Sequence, residues 1–498
     1  MRGVVAGAMT IFGAQVAGYA MGIVASVIIA RALGPEGRGL YYIPVAAAVA
    51  CVGLGHLSIE VSNTYFFAQG RYSLQRLARN TSTVLLVMGP IVVLAMVAFF
   101  AATRNSVFHG VSTANYLLVV FTVPFTLQTT WIGSIFLLGR RVAQWQLALL
   151  AGAALQAAGA VILFAAHDLD VHTVLVLYAA SVMLPWALLV FWARSFAPPR
   201  PTLDMPMARE VVGFGLRLHV GFIFWFLLLR VDIFLVAAIL GTKAVGLYSL
   251  AVLFGELVWL LTNPLVAAAL PFQSSMTVQE ASPLTFKVVR FNVAVALVLA
   301  AAFAAALPLV IPLLYGKSFS PAYPAILALL PGIVAMAGAR PLFNWLIRHG
   351  RPGVLGAISV GAFLVNLALN LLLLRPLGIV AAGVASSVAY IGLTAAFLIW
   401  GTRLAGLSAR AALIPQRGDI ETLQRLVTRF RTIARALLGG VPASPSASEL
   451  GEHGVSQEPA AGEDTTGGPC GIAPVAEDEL AAGAPDPTAN GDAEEGLE

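Results

Sequence analysis

Again and again up to about residue 402, the chain runs apolar for some 20 residues or more between one charged residue and the next. A helix needs about 20 apolar residues to cross the hydrocarbon of a bilayer, so each uncharged run between Lys, Arg, Asp and Glu is a predicted transmembrane helix. Twelve are predicted, at 8–31, 39–59, 82–103, 115–138, 142–166, 172–193, 211–240, 246–270, 290–314, 322–346, 353–374 and 378–402. The runs are long and continuous rather than alternating, which argues against a transmembrane barrel. Arg2 and Arg31 bracket 28 uncharged residues. That is too long for a signal-peptide core and has no clear small-residue cleavage site, so it is read as a retained first helix.

Past residue 402 the pattern changes. Residues 417–437, RGDIETLQRLVTRFRTIARAL, put Ile420, Leu423, Leu426, Val427, Phe430, Ile433 and Leu437 on one helical face and Arg425 and Arg429 on another. Such a helix suits an anionic cytoplasmic leaflet, or else packs on the underside of the helical body. Residues 441–498 hold 13 Asp/Glu and no Lys/Arg among abundant Ala, Gly, Pro and Ser, and are expected to be disordered. The predicted organisation is a first six-helix lobe at 1–195, a cytoplasmic linker at 196–210, a second lobe at 211–402, a basic amphipathic segment at 403–440 and the acidic tail.

Composition fixes the solvent. At 59% hydrophobic and 11% charged residues, against roughly 45–50% and 25% for soluble domains, the chain is an integral membrane protein. Its net charge of +5 conceals a body of +18 and a tail of −13. The basic body suits anionic lipids or an anionic substrate, and nothing in it suggests nucleic acid. The N-terminus, the loops after even-numbered spans and the C-terminal segment carry 20 Lys/Arg, Arg290 included; the loops after odd-numbered spans carry 6, Arg31 included. Cytoplasmic loops retain positive charge, so both termini are predicted cytoplasmic. Cys51 and Cys470 offer no disulfide framework.

One turn occurs twice. RALGPEGRGLY at 31–41 and AILGTKAVGLY at 238–248 align at an offset of 207, and six of fifteen positions match over 31–45 and 238–252: Leu33/Leu240, Gly34/Gly241, Gly39/Gly246, Leu40/Leu247, Tyr41/Tyr248 and Val45/Val252. The same skeleton recurs at Leu377, Gly378 and Gly383. Glycine ends a helix in the left-handed region and Pro35 restarts the chain, so the motif predicts tight hairpins. Six spans separate the first two copies, so both halves enter the membrane in the same sense. The predicted fold is an all-α polytopic membrane protein of about 12 transmembrane helices in two parallel six-helix lobes around a central cavity, the arrangement of an alternating-access transporter.

Several stretches resemble one family. ARALGPEGRGLYYIPVA at 30–46 is similar to the first hairpin of the polysaccharide-transport proteins, the oligosaccharide-lipid flippases of the multidrug/oligosaccharidyl-lipid/polysaccharide exporter superfamily. LLLRVDIFLVAAILGTKAVGLYSLA at 227–251, IPLLYGKSFSPAYPAILALLPG at 311–332 and NLALNLLLLRPLGIVAAGVASS at 366–387 resemble its later segments in order and spacing. The resemblance implies flipping of a polyprenyl-pyrophosphate-linked oligosaccharide across the cytoplasmic (inner) membrane for cell-surface polysaccharide synthesis, of the O-antigen or lipopolysaccharide kind. It also implies the lipid-linked oligosaccharide and membrane lipids as partners, with a polymerase and glycosyltransferases of the same pathway. The acidic tail departs from the family pattern.

Charge inside the membrane is expensive and therefore informative. Asp232 lies nine residues before Gly241 and Glu256 ten after Gly246, which puts both roughly 13–15 Å below the turns. One reading makes Arg217, Arg230 and Arg340 a cationic lining for a pyrophosphate, because planar guanidinium donors bind phosphate oxygens in pairs. The other makes Arg230, Asp232 and Glu256 a buried ion network. Asp232 and Glu256 are also candidates for a coupling cation or proton. Asn366 and Asn370, one turn apart, are candidates for the cavity or for hydrogen bonds across helices. His56 and His219 read as satisfied interface residues; no metal spacing accompanies them, and no metal or cofactor is expected. Glu60, Arg217 and Arg340 fall nearer the cytoplasmic side. Pro124, Pro185 and Pro264 interrupt apolar spans and are candidates for kinks.

Two other classes compete. A membrane glycosyltransferase or ligase needs catalytic carboxylates or a large outer loop, whereas the only outer acids are Glu36, Asp168 and Asp170 and no nucleophile–base constellation is present. A cation-coupled multidrug exporter of the same superfamily is the main alternative. SNTYFFAQGRYSLQRLARN, the loop after span 2, lacks the acidic residue of a major-facilitator signature.

Overall fold

A computed structural model describes residues 2–408 except 203, 275, 278, 350 and 351, together with 410 and 412. The predicted segments at 417–437 and 441–498 lie outside these residues. No strand occurs among the described residues. The helices are α1 (Arg2–Gly55), α2 (Ile59–Ala68), α3 (Leu74–Thr103), α4 (Thr113–Leu138), α5 (Val142–Ala165), α6 (Val171–Ala193), α7 (Met205–Leu240), α8 (Thr242–Ser274), α9 (Ala281–Val310), α10 (Tyr323–Ile347), α11 (Pro352–Leu377) and α12 (Ile379–Ala405). A π turn, Ile311–Tyr315, and a 3-10 turn, Lys317–Ala322, join α9 to α10.

The first two predicted spans are the two arms of α1, which breaks at Gly34 (φ 65°). Arg38 on the second arm donates from Nη1 to the Ser26 carbonyl of the first at 3.0 Å, so the chain doubles back there. The other ten spans correspond to α3 through α12. Several helices begin earlier than their apolar runs: α3 starts at Leu74, α7 at Met205 and α9 at Ala281. Each of these added starts carries a charged residue, which ends an uncharged run without ending a helix. Pro124, Pro185 and Pro264 lie inside α4, α6 and α8.

The repeated turn behaves as its glycines require. Gly34, Gly241 and Gly378 have φ of 65°, 83° and 60°, the left-handed region that glycine enters without a Cβ penalty. Each other turn at this end of the bundle also holds a left-handed residue: Gly110, His167 and Gly316. This end is called the turn end below.

Helix pairing reveals the two lobes. In the first, α3 packs on α4, α4 on α6, α5 on α6, and α1 on α4 and α5. In the second, α9 packs on α10, α10 on α12, α11 on α12, α7 on α11, and α8 on α10. One list becomes the other by adding six spans, as a parallel repeat demands. The lobes meet mainly where α1 faces α8 and α7.

That seam is built on the second glycines of the repeat. A Cβ on Gly39 would collide with the Thr242 carbonyl, and one on Gly246 would collide with the Pro35 carbonyl. Thr242 is the repeat equivalent of Pro35, and Gly246 of Gly39, so the contact is self-complementary about the pseudo-two-fold axis. Gly34 and Gly241 turn the chain; Gly39 and Gly246 let the two hairpins touch.

Candidate functional site

Below the glycine contact lies a cavity of about 230 Å³. The second lobe supplies most of its wall, from α7, α8, α10 and α12, and Tyr19 on the first arm of α1 faces it from the other lobe. The α8 contribution follows one helical stripe through Val252, Glu256, Trp259, Leu260 and Asn263.

The turn end of the seam is sealed. Arg38, only 6% exposed, donates from Nε to Ser249 Oγ across the lobes at 2.7 Å. Its guanidinium lies 5.6 Å from the Tyr315 ring and 6.0 Å from that of Phe319. Arg31 donates to the carbonyls of Leu313 and Leu314. Toward the opposite end the cavity rim rises to Tyr19 and Asn263, both exposed. The cavity is therefore closed at the turn end and open away from it.

The charges inside sort into three groups. Arg230 pairs with Glu256, Nη2 to Oε1 at 2.6 Å, with side chains 24% and 32% exposed. Asp232 does not join that pair. Two residues along α7 is some 200° around the helix, and Asp232, 2% exposed, points into the second lobe. There its Oδ2 accepts from the Tyr248 hydroxyl and from Ser386 Oγ at 3.3 Å. Behind Ser386 runs a buried polar chain: Asn366 Nδ2 donates to Ser386 Oγ at 3.1 Å, and Asn370 Nδ2 to Asn366 Oδ1 at 3.1 Å.

Arg340 is the third group. Its guanidinium lies over the Trp259 ring, 4.4 Å from the centroid, and Nη1 donates to Asn263 Oδ1 at 2.8 Å. Its buried Nε has no partner among the described residues, and no carboxylate among them pairs with it. An aromatic face and an amide thus hold a cation that keeps unused donors beside the cavity.

The structure thus brings Arg230, Asp232, Glu256 and Arg340 to one cavity. Arg217 is not there: it is exposed, does not line the cavity, and donates to the Gly213 carbonyl on its own helix at 3.1 Å. Asn366 and Asn370 are fully buried behind the wall, where Asn366 bridges α11 to α12. Their cross-helix role is the one observed, and Asp232 receives their chain. Tyr19, Trp259, Asn263 and Tyr390 line the cavity but were not singled out from sequence. Following the face of α8 from Glu256 at intervals of three and four would have found Trp259 and Asn263. No spacing rule reaches Tyr19, which belongs to the other lobe.

His56 and His219 lie together in the seam, in ring contact with each other. His219 is fully buried, with Nε2 3.0 Å from the Leu54 carbonyl and Nδ1 3.1 Å from Ser58 Oγ. His56 Nδ1 lies 3.2 Å from Glu60 Oε1. No group of three or more His, Cys, Asp or Glu suited to a metal occurs among the described residues.

Solved structures share this fold. The lipid II flippase MurJ in an inward closed conformation superposes with a TM-score of 0.64 at 12% identity, over 86% of this chain and 93% of that one. An inward-facing MATE family multidrug resistance transporter of the MOP superfamily gives 0.59 at 11%, over 80% and 98%. A MOP superfamily transporter from Pyrococcus furiosus gives 0.59 at 12%, over 80% and 95%. None of the curated proteins matches in sequence. The profile of one family, described as polysaccharide biosynthesis protein, matches residues 4–277, more than half of the chain. Two parallel six-helix lobes, a cavity between them and this match place the chain in the polysaccharide biosynthesis protein family, with the fold of the MOP superfamily transporters.

Proposed function

We propose that this transporter flips a polyprenyl-pyrophosphate-linked oligosaccharide across the cytoplasmic membrane by alternating access, to supply cell-surface polysaccharide synthesis of the O-antigen or lipopolysaccharide kind. The observation that carries the reading is Arg340, a guanidinium at the cavity with an unused buried donor and no carboxylate partner among the described residues. A pyrophosphate entering a low-dielectric site needs such a charge, and guanidinium meets phosphate oxygens with directed donors. Arg230 is already neutralised by Glu256, so its role is to hold α7 against α8, and the substrate contact falls to Arg340.

The turn end is taken as the outer face and both termini as cytoplasmic, in keeping with the Lys/Arg distribution. The cavity then faces the cytoplasm, where a lipid-linked glycan is loaded. Asp232 is the candidate for ion coupling, since it sits buried at the end of a polar chain that a bound cation or proton would reorganise. A polymerase and glycosyltransferases of the same pathway are the partners this reading requires.

The test is translocation of a polyprenyl-pyrophosphate oligosaccharide by the full chain in vesicles. Arg340→Gln removes a charge-assisted contact worth about 1.5–3 kcal/mol, so transport is expected to fall about ten- to a hundredfold at normal membrane abundance. Unchanged transport in that variant would remove the assignment. If the chain instead carries lipophilic cations and leaves the glycan lipid untouched, the multidrug-exporter reading replaces this one.

A further inference from the structure

Where the end of α1 meets α7, two histidines from different lobes stand face to edge, with ring centroids 4.6 Å apart and planes at 84°. The connection that carries His56 to α2 is strained: Leu57 and Ser58 both take left-handed conformations, φ 51° and 49°, without being glycine. Trp131 pins the break by donating from Nε1 to the His56 carbonyl at 2.8 Å. Gly215 on α7 closes on it so tightly that an added Cβ would meet the Leu57 carbonyl and Ser62 Oγ. The strain places three groups around His56 and His219: the Ser58 amide, the Ser58 hydroxyl and the Glu60 carboxylate.

The hydrogen bonds fix the protons on one ring and leave them undecided on the other. His219 Nε2 faces the Leu54 carbonyl, which can only accept, so Nε2 carries hydrogen. In the neutral ring Nδ1 then accepts from the Ser58 hydroxyl. His56 Nδ1 has two neighbours with opposite demands. The Ser58 N–H donates to it at 3.2 Å, which requires a bare nitrogen. Glu60 lies 3.2 Å away through Oε1 and 3.3 Å through Oε2, and a carboxylate at that distance requires a proton between the two. One nitrogen can satisfy only one of them at a time: a bare Nδ1 takes the Ser58 N–H, and an Nδ1 bearing hydrogen serves Glu60.

We infer that His56, Glu60 and His219 form a proton-binding site in the seam between the lobes, read out on α7 through Ser58. With the proton bound, His56 Nδ1–H donates to Glu60 and the Ser58 amide is released. With the proton gone, the Ser58 amide holds His56 and the carboxylate is pushed away. Because the Ser58 hydroxyl also holds His219, either state is felt across the seam. A second proton, on His219 Nδ1, would turn Ser58 Oγ from donor to acceptor and set two cationic rings edge to face. His56 from the connection after α1 and Glu60 from α2 are the titratable groups that face His219; Arg217, on its own helix, is exposed and held by the Gly213 carbonyl.

The site is tested without any substrate, so its failure is separable from failure of the flippase reading. The full chain, with all seven histidines labelled with nitrogen-15, is placed in lipid nanodiscs and its imidazole resonances followed from pH 5 to pH 9. The His56 and His219 signals, assigned by single substitution, are expected to change with pH together, and Glu60→Gln should alter the response of both. Ser58→Ala, which keeps both rings, should separate the two titrations. Titration curves for His56 and His219 that are unaltered by Glu60→Gln overturn the site. A shift of His56 alone in Glu60→Gln, with His219 unmoved, reduces the cluster to a local ion pair and overturns the link across the lobes.

Discussion

Arg230 and Arg340 lie in the same cavity and have opposite prospects on mutation. Arg230→Gln leaves Glu256 without its partner, and since both side chains are a quarter to a third exposed the loss is expected to be about 1–3 kcal/mol, less than for a fully buried pair. It should appear as reduced membrane abundance, which Glu256→Gln in the same chain restores. A double variant that stays at the single variant's level would show that Arg230 has another task. Arg340→Gln should leave abundance alone and lower transport. Outside the membrane, Asp170 caps α6: its carboxylate accepts from the Thr173 backbone N–H at 2.7 Å, and the Thr173 hydroxyl caps back onto the Asp170 N–H. The hydrogen bond from the Thr173 backbone N–H holds the Asp170 carboxyl below the usual carboxylate range. A folded value below the unfolded one stabilises the fold above the unfolded value, and the gain fades as pH falls through the folded value. Asp170→Ala should therefore cost about 1 kcal/mol near neutral pH and less under acid, measured by thermal unfolding in detergent at both.

At the scale of helices, the glycines of the repeated hairpins have two duties, and substitution should separate them. Gly34→Ala forces a Cβ into a left-handed turn, and a loss of about 1 kcal/mol in stability is expected with the lobes still able to close. Gly246→Ala meets the Pro35 carbonyl, which is backbone and cannot swing aside. The seam between α1 and α8 should then separate at the turn end. Spin labels on Glu36 and Lys243 are expected to lie farther apart in Gly246→Ala than in the parent, and equal distances in both would show that the seam does not depend on close glycine packing. The bridges to the start of α7, Arg71 after α2 with Glu210 and Arg76 on α3 with Asp204, each 2.6 Å, belong to the opposite end. They are half-exposed ion pairs and are expected to contribute little singly.

Over the whole molecule, the repeat fixes which movements are available. Under the proposed alternating access, a parallel repeat whose two lobes meet along one seam opens one end of that seam as the other shuts. The described state is shut at the turn end by Arg31, Arg38 and the glycines. Topology is checked by reporters active only outside the cytoplasm: a fusion at residue 168 should report and one after residue 402 should stay silent. An active reporter after 402 would reverse the proposed orientation. Deletion of residues 441–498, which hold 13 Asp/Glu and no Lys/Arg, should leave abundance and transport near normal.

Hydropathy is a local property, summed over about 20 neighbouring residues, and it placed ten of the twelve spans directly and the other two as the arms of α1. The glycine turns were legible for a similar reason, since one residue type alone tolerates the conformation at Gly34, Gly241 and Gly378. Identity at an offset of 207 then carried the two-lobe plan. The partner of Arg230 was not legible. Its azimuth on α7 excludes Asp232, but only the packing of α7 on α8 selects Glu256. Arg217 was grouped with the other arginines because depth can be counted along a chain, whereas the direction a side chain faces depends on which helices surround it. Asn366 and Asn370 likewise read as a polar pair, and the fold joined them through Ser386 to Asp232. The meeting of Gly39 with Gly246, and of Tyr19 with a cavity built by the other lobe, is decided by contacts across hundreds of residues, which no local pattern encodes.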